Sequence, residues 1–378
     1  MLYFLYMRYL SKYILNDLNK KMVFLSGPRQ SGKSYLSKQL LKDNFEYLNW
    51  DIPKHKKVIT NCEWDKSQKL VILDELHKYK NWKNYLKGIF DEYANKPALL
   101  ITGSAKLDTF RKSGDALTGR YFHYRLHPID IFEGINFFNK KNPQAVAMHL
   151  LKTGGFPEAF LNPKDAERIR QDRFDVVLNE DLRDLSKTNS IQGLAHLIEL
   201  LKDCTGSTVN YERLANDLAV TAPTVKSWIN LLERLYVIFK VSPYSHQLSN
   251  SIKKDSKYYF YDCAAASDEG SRVENLVACS LLKYCHFKRD TEGKDYQLFF
   301  YRDKQQREVD FIVAERTKPL LSIEVKTSDS KLSTALLYLD KKIKPGKSIQ
   351  LVLNLEKNRD INGIKIISLA EWLSKLFN

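Results

Sequence analysis

Two groups of residues in this chain have the types and spacing for chemistry on phosphate. The first is Gly27, Pro28, Arg29, Gln30, Ser31, Gly32, Lys33 and Ser34, which fit GxxxxGK[ST]. Gly27 and Gly32 let the backbone wrap so that successive N–H groups point inward at phosphate oxygens. Lys33 is suited to neutralise β- and γ-phosphates, and the Ser34 hydroxyl to ligate Mg²⁺. ATP and Mg²⁺ are the cofactors this pattern predicts. Downstream, the apolar run 70–73 ends in Asp74 and Glu75. A carboxylate at the end of a buried strand beside such a loop can hold Mg²⁺ through water, and a second can polarise the attacking water. Asp74 is therefore expected at the metal and Glu75 as general base.

The second group lies in REVDFIVAERTKPLLSIEVKTSD, residues 307–329. Strict alternation puts Glu308, Asp310 and Ile312 on one face of a strand. Ser322, Glu324 and Lys326 share a face of the next. If Arg316, Thr317 and Lys318 form the turn, Asp310 lies opposite Glu324, with Lys326 the next residue on that face. Two carboxylates and a lysine suit metal-dependent phosphodiester cleavage, and Glu274, on a helix reading RVENLVACSLLKY, would complete the site. The alternative is a hairpin whose charges simply face solvent.

The elements that must position these residues read as follows. Residues 22–25 form a short apolar strand before the glycine loop, and an amphipathic helix follows from Lys33. PALLITGSA adds a strand expected between the first two, with Thr102 or Ser104 placed to meet a γ-phosphate or to satisfy a strand-end backbone group. Arg111, Arg120 and Arg125 follow. Arg120 is the candidate to reach a neighbouring subunit's phosphate in a homo-oligomer, against a surface salt-bridge role. His77 is read as a helix-start residue. Residues 143–206 turn helical, punctuated by GGFPE, like the lid that often follows an ATPase core.

Residues 211–218 then form a helix, 219–221 a tight connection, and Thr221 the N-cap of a second helix; a strand at 236–241 follows. This is the winged helix-turn-helix pattern. Thr224, Lys226, Ser227 and Asn230 on its exposed face suit DNA contacts, although such modules also dock proteins.

Composition adds bounds. A chain of 378 residues suits several domains, and its net charge of +15 favours phosphate-bearing partners or else a solvated lysine coat. The five cysteines show no CxxC spacing, which points to a reducing compartment and away from structural zinc. The opening MLYFLYMRYLSK is interrupted by Arg8 and Lys12 and reads as an aromatic-faced helix rather than a signal peptide. No stretch approaches the about 18 uninterrupted apolar residues of a membrane span. A cytoplasmic protein is expected.

Taken in order, GPRQSGKS, VILDEL, LLITGSA, LTGRYFHYRLHP, GGFPEAF, NEDLRDL, TAPTVKSWINLLER, VENLVA and EVDFIV…SIEVKTS resemble the bacterial and archaeal AAA-type ATPases with a C-terminal uncharacterised domain. The resemblance runs nearly end to end. It implies an α/β chain with an AAA+ P-loop core (1–142), a helical lid (143–206), a winged helix (207–262) and a fold like the PD-(D/E)XK nucleases, the restriction-endonuclease-like class (263–378). It carries nucleotide binding to residues 27–34, Asp74 and Glu75, and nuclease residues to Glu274, Asp310, Glu324 and Lys326. Two positions depart: Val309 stands where the nuclease motif has proline, and His77 where glutamine is expected. The resulting expectation is an Mg-dependent ATPase coupled to DNA, whose C-terminal domain either cleaves or merely holds nucleic acid. Its rival is an ATP-regulated switch whose partners are proteins.

Overall fold

The computed structural model describes residues 8–103, 117–138, 142–181, 190–245, 255–328 and 331–377. It divides into two compact units, Met1–His127 and Pro128–Asn378.

In the first unit, β1 (Met22–Ser26), β2 (Phe45–Asn49), β3 (Leu70–Asp74), β4 (Ala98–Thr102) and β5 (Tyr121–Arg125) form one sheet in the order β2-β3-β4-β1-β5. Every pairing is parallel, and β4 lies between β1 and β3 as predicted. Parallel sheets are covered on both faces, which is why MVFLS and LVILD are buried along their whole length instead of alternating. The helices of this unit are α1 (Ser11–Leu18), α2 (Lys33–Gln39), α3 (Pro53–Asn61) and α4 (Trp82–Tyr93). Phe24, Val71, Leu73, Trp82, Leu86 and Ile101 belong to one core, in which the ring of Phe24 stacks on Tyr121 at 4.3 Å. In α1, Ile14 and Leu18 are buried at helical spacing. Asp17 accepts the Tyr124 hydroxyl at 2.6 Å and the Leu18 carbonyl accepts Asn95 at 2.8 Å, tying the helix to the sheet.

The second unit begins with α5 (Ile131–Phe138), α6 (Pro143–Thr153), α7 (Pro157–Leu161), α8 (Ala166–Val176) and α9 (Ile191–Asp203). Asn142 and Ser190 cap α6 and α9 by accepting backbone N–H groups of the first turn. The GGFPE turn lies against Asp262, whose Oδ2 takes Arg170 at 3.0 Å and Arg173 at 2.6 Å, all three side chains buried.

Next come α10 (Tyr211–Asp217) and α11 (Ala222–Arg234), with Thr221 accepting the Thr224 N–H as the expected N-cap. Val225, Trp228, Ile229 and Leu232 are buried on one face of α11. β6 (Ile238–Pro243) starts later than the predicted strand because Tyr236 takes a left-handed φ of 58°, which turns the chain before it extends. β7 (Lys257–Phe260) pairs antiparallel with β6.

The remaining elements are α12 (Glu269–Glu292), β8 (Tyr296–Arg302), β9 (Glu308–Glu315), β10 (Lys318–Ser328), α13 (Thr334–Ile343), β11 (Lys347–Asn354), β12 (Arg359–Ile361), β13 (Ile364–Ser368) and α14 (Leu369–Leu373). They complete an eight-stranded mixed sheet in the order β12-β13-β11-β10-β9-β8-β6-β7. β6 therefore pairs with β7 on one side and β8 on the other, Ser242 lying beside Phe299.

The β9–β10 hairpin differs from the predicted one in its turn. Lys318 pairs with Glu315, so only Arg316 and Thr317 lie between the strands, Arg316 at a φ of 55°. A bulge between Pro319 and Leu321 then shifts the register by one, and Ile323 faces Phe311. The strand pairing ends there, and the Asp310 side chain then reaches β10, its Oδ2 accepting the Val325 N–H at 2.8 Å. The turn is one residue shorter than expected, and the bulge makes up the difference in register.

Candidate active site

The glycine loop links β1 to α2 at the C-terminal edge of the parallel sheet, where α/β folds of this kind bind ligands. Gly27 has a φ of 143°, and a Cβ there would lie 2.3 Å from the Leu126 carbonyl oxygen, so no larger residue fits. Gly32, at 93°, turns the chain into α2. The Lys33 ammonium donates to the carbonyls of Gly27 (3.0 Å) and Pro28 (2.7 Å), folded over its own loop. Ser31 Oγ is buried without a hydrogen-bond partner, an orphan hydroxyl within a loop of the phosphate-binding pattern. Arg29 is half-buried and Gln30 exposed.

Asp74 stands at the end of β3 and is met by hydroxyls from three elements. Ser34 donates to Oδ2 at 2.8 Å, Tyr47 donates to the same oxygen at 2.5 Å, and Thr102 donates to Oδ1. Burial and the neighbouring carboxylate push the Tyr47 hydroxyl up to about 12, so it remains a donor at neutral pH. Thr102 thus serves Asp74, a role the sequence reading did not weigh. Ser104, the alternative, and Arg111 lie outside the described residues.

Glu75 adopts a left-handed φ of 57°, and its N–H donates to the Thr102 carbonyl at 3.0 Å. Burial raises its pKa, opposed by Lys78 at 3.5 Å. A carboxylate so shifted is a better proton acceptor than a solvated one. His77 does not start α4: it lies in the 3₁₀ turn Leu76–Lys78, its Nε2 3.7 Å from Glu75. Arg120 makes two bonds to Asp91 of α4, at 2.9 and 3.2 Å, so the candidate trans arginine is engaged within its own unit.

Two contributors were missed from sequence. Tyr47 lies in FEYLN, where nothing but an aromatic on a strand advertises it. Arg8 was read only as an interruption of an apolar head. It is buried and donates to the Ser31 carbonyl at 2.8 Å and the His127 carbonyl at 2.6 Å, clasping the glycine loop. An arginine set among aromatic residues was the available signal.

In the second unit, Asp310 Oδ2 accepts the Val325 N–H at 2.8 Å, between Glu324 and Lys326 in sequence. Lys326 is 2.8 Å from Glu324 Oε1, while Glu324 Oε2 is buried with no hydrogen-bond partner. Glu274, on α12, accepts the Tyr259 hydroxyl at 2.5 Å and lies 3.4 Å from the Lys257 ammonium. Burial, then the charge of Asp310, raises Glu274 and Glu324 to about 7 each; burial raises Asp310 too. The residues named from sequence thus share one electrostatic neighbourhood. Among the described residues, however, no three acidic, histidine or cysteine side chains come close enough to hold one ion. Glu274 is engaged by Lys257 and Tyr259 of β7, neither of which the sequence pattern points to.

On α11, Lys226, Ser227 and Asn230 are exposed as predicted. Thr224 is only half exposed, and its hydroxyl is 2.9 Å from that of the cap Thr221. No described helix is long and apolar enough to cross a membrane.

Comparison with known proteins agrees with the first unit's geometry. Residues 19–135 match the family model of an AAA domain. Residues 146–268 and 269–372 match two domains of unknown function, DUF8612 and DUF4143. An uncharacterized protein of Haemophilus influenzae is 22% identical, covering 92% of this chain and 93% of its own. One from Methanocaldococcus jannaschii is 20% identical, covering 88% and 82%. Among solved structures, a Walker-type ATPase of Pyrococcus abyssi is 14% identical, covers 68% of this chain and 93% of its own, and superposes with a TM-score of 0.41. Along the chain, a stretch similar to an AAA domain is thus followed by two stretches similar to domains of unknown function.

Proposed function

We propose that the chain binds ATP with Mg²⁺ at residues 27–34 and hydrolyses it, and that its second unit engages DNA. The observation that carries the first half is the Ser34–Asp74 hydrogen bond, which brings the loop hydroxyl and the strand-end carboxylate together as two oxygen donors for one cation. When bound, Mg²⁺ would supply charge neutralisation to the β- and γ-phosphate oxygens. Lys33 would exchange the Gly27 and Pro28 carbonyls for phosphate, the orphan Ser31 hydroxyl would find an acceptor, and Tyr47 and Thr102 would hold Asp74 in place. Glu75 would take the proton of the attacking water. The AAA match over residues 19–135 supports this reading.

For the second unit, the order α10, α11, β6, β7 and the exposed Lys226, Ser227 and Asn230 support a winged helix, and the net charge of +15 supports a polyanionic partner. The residues after it are read as a nuclease-like domain, in which Asp310 and Glu324 would hold a second divalent cation beside Lys326. The buried, unpartnered Glu324 Oε2 fits that role. Phosphate release from ATP and retention on duplex DNA test the proposal together. Lys33→Ala should abolish ATP turnover, and retention should fall steeply as salt rises. ATP turnover that survives Lys33→Ala would refute the first half. A second reading, an ATP-regulated protein-docking switch, is favoured by α11 offering Lys226 as the single cation among its candidate contacts. Loss of DNA retention at low salt would put it first.

A further inference from the structure

Lys257 is 1% exposed, yet its ammonium sits among carboxylates. Nζ lies 2.6 Å from Glu308 Oε1 and 3.4 Å from Glu274 Oε1. Tyr259, on the same strand, donates to that Glu274 oxygen at 2.5 Å. Gly206 bounds Glu274 further: a Cβ there would lie 3.0 Å from its Oε1. Glu274 is thus held by two residues, and bounded by a third, from the stretch matched by DUF8612, although it belongs itself to the stretch matched by DUF4143.

We propose that Lys257 is a positioning residue that serves as the resident counter-ion of this acidic cluster, taking the charge position a divalent cation would otherwise fill beside Glu274 and Asp310. The proposal rests on the reading of Asp310 and Glu324 as a cation site. Both contacts from β7 fall on the same oxygen, Glu274 Oε1, so the ammonium and the Tyr259 hydroxyl already satisfy the atom a cation would use. Glu324, 6% exposed and with Oε2 unpartnered, remains the open donor. A fixed ammonium within a few ångströms opposes a dication directly, and it also occupies the lone pairs of Glu274 and Glu308. β7 is buried along its length and held on both flanks: β6 pairs with one, while the Thr208 bridge, the Gly206 N–H on the Tyr258 carbonyl (3.4 Å) and the Asn275 amide on the Phe260 backbone hold the other. The lysine is therefore carried by a well-anchored strand, which fixes its ammonium beside Glu274 and Glu308.

The test is Mn²⁺ binding to the full chain without nucleotide, followed by the electron paramagnetic resonance of free Mn²⁺, in an Asp74→Asn background that silences the first site. Lys257→Met should bind Mn²⁺ at least tenfold more tightly than the parent, Lys257→Arg should match the parent, and adding Glu324→Gln to Lys257→Met should erase the gain. If Lys257→Met folds poorly because Glu308 is left unpaired, the pair Lys257→Met with Glu308→Gln should show the same gain. A parent that binds Mn²⁺ through Glu324, with no gain on losing Lys257, overturns the counter-ion role alone. No Mn²⁺ binding by the parent or any variant overturns both that role and the cation reading.

Discussion

The Tyr47 hydroxyl donates to Asp74 Oδ2 at 2.5 Å, the same oxygen that accepts the Ser34 hydroxyl at 2.8 Å. If Ser34 turns to a cation when nucleotide enters, Tyr47 and Thr102 are left to orient the carboxylate. Donors to a metal-ligating carboxylate typically matter by about 10–100-fold in metal affinity. Tyr47→Phe should therefore weaken Mg²⁺-dependent binding of a fluorescent ATP analogue about tenfold and leave Mg²⁺-free binding unchanged. Equal loss with and without Mg²⁺ would assign Tyr47 to the loop's shape instead.

Gly27→Ala tests the loop itself. The added Cβ would lie 2.3 Å from a backbone oxygen at a φ of 143°, and neither the methyl group nor the carbonyl has a soft way out. A loss of about 2–3 kcal/mol is expected in urea unfolding, together with loss of nucleotide binding. Wild-type stability in Gly27→Ala would mean that the loop relaxes freely.

Asp262→Ala leaves two buried guanidinium groups, Arg170 and Arg173, without their shared carboxylate. Burial already pulls Arg173 down to about 10 with Asp262 present. Breaking such a pair from one side costs about 3–5 kcal/mol, so thermal unfolding of the second unit should shift strongly downward. A shift of a degree or two would show that water reaches these arginines.

The acidic cluster predicts a pH dependence. Glu274 and Glu324, ordinarily near 4.5, stand at about 7 when folded. Between those limits the folded chain holds more protons than the unfolded one, so these groups make stability fall as pH rises. Glu324→Gln removes its share. From about pH 5 to about pH 7.5 the variant should lose ~1–2 kcal/mol less than the wild type in urea titrations. A steeper loss in the variant would contradict the raised pKa.

Much of the first unit was legible because local rules and long-range packing agree there. GPRQSGKS encodes its own backbone geometry, and the short apolar runs 22–25 and 70–73 suit central parallel strands. Asp74 was legible at a strand end, but its hydroxyl partners were not, since Tyr47 and Thr102 reach it through a strand order that no local pattern contains. In the second unit, alternation brought Asp310 and Glu324 together, while the bulge after Pro319 left no readable mark. Lys257 was hidden for a related reason. A lysine in KYYF reads as an exposed strand end until β7 is docked against the helix that carries Glu274.

β6 hydrogen-bonds to β7 within one family-matched stretch and to β8 within the next. The boundary at residues 268 and 269 thus separates two matched stretches without separating the sheet. A fragment beginning at residue 269 would present the flank of β8 as a bare, pairing-competent edge, and one ending at 268 would do the same with β6. The second unit should accordingly melt in a single calorimetric transition.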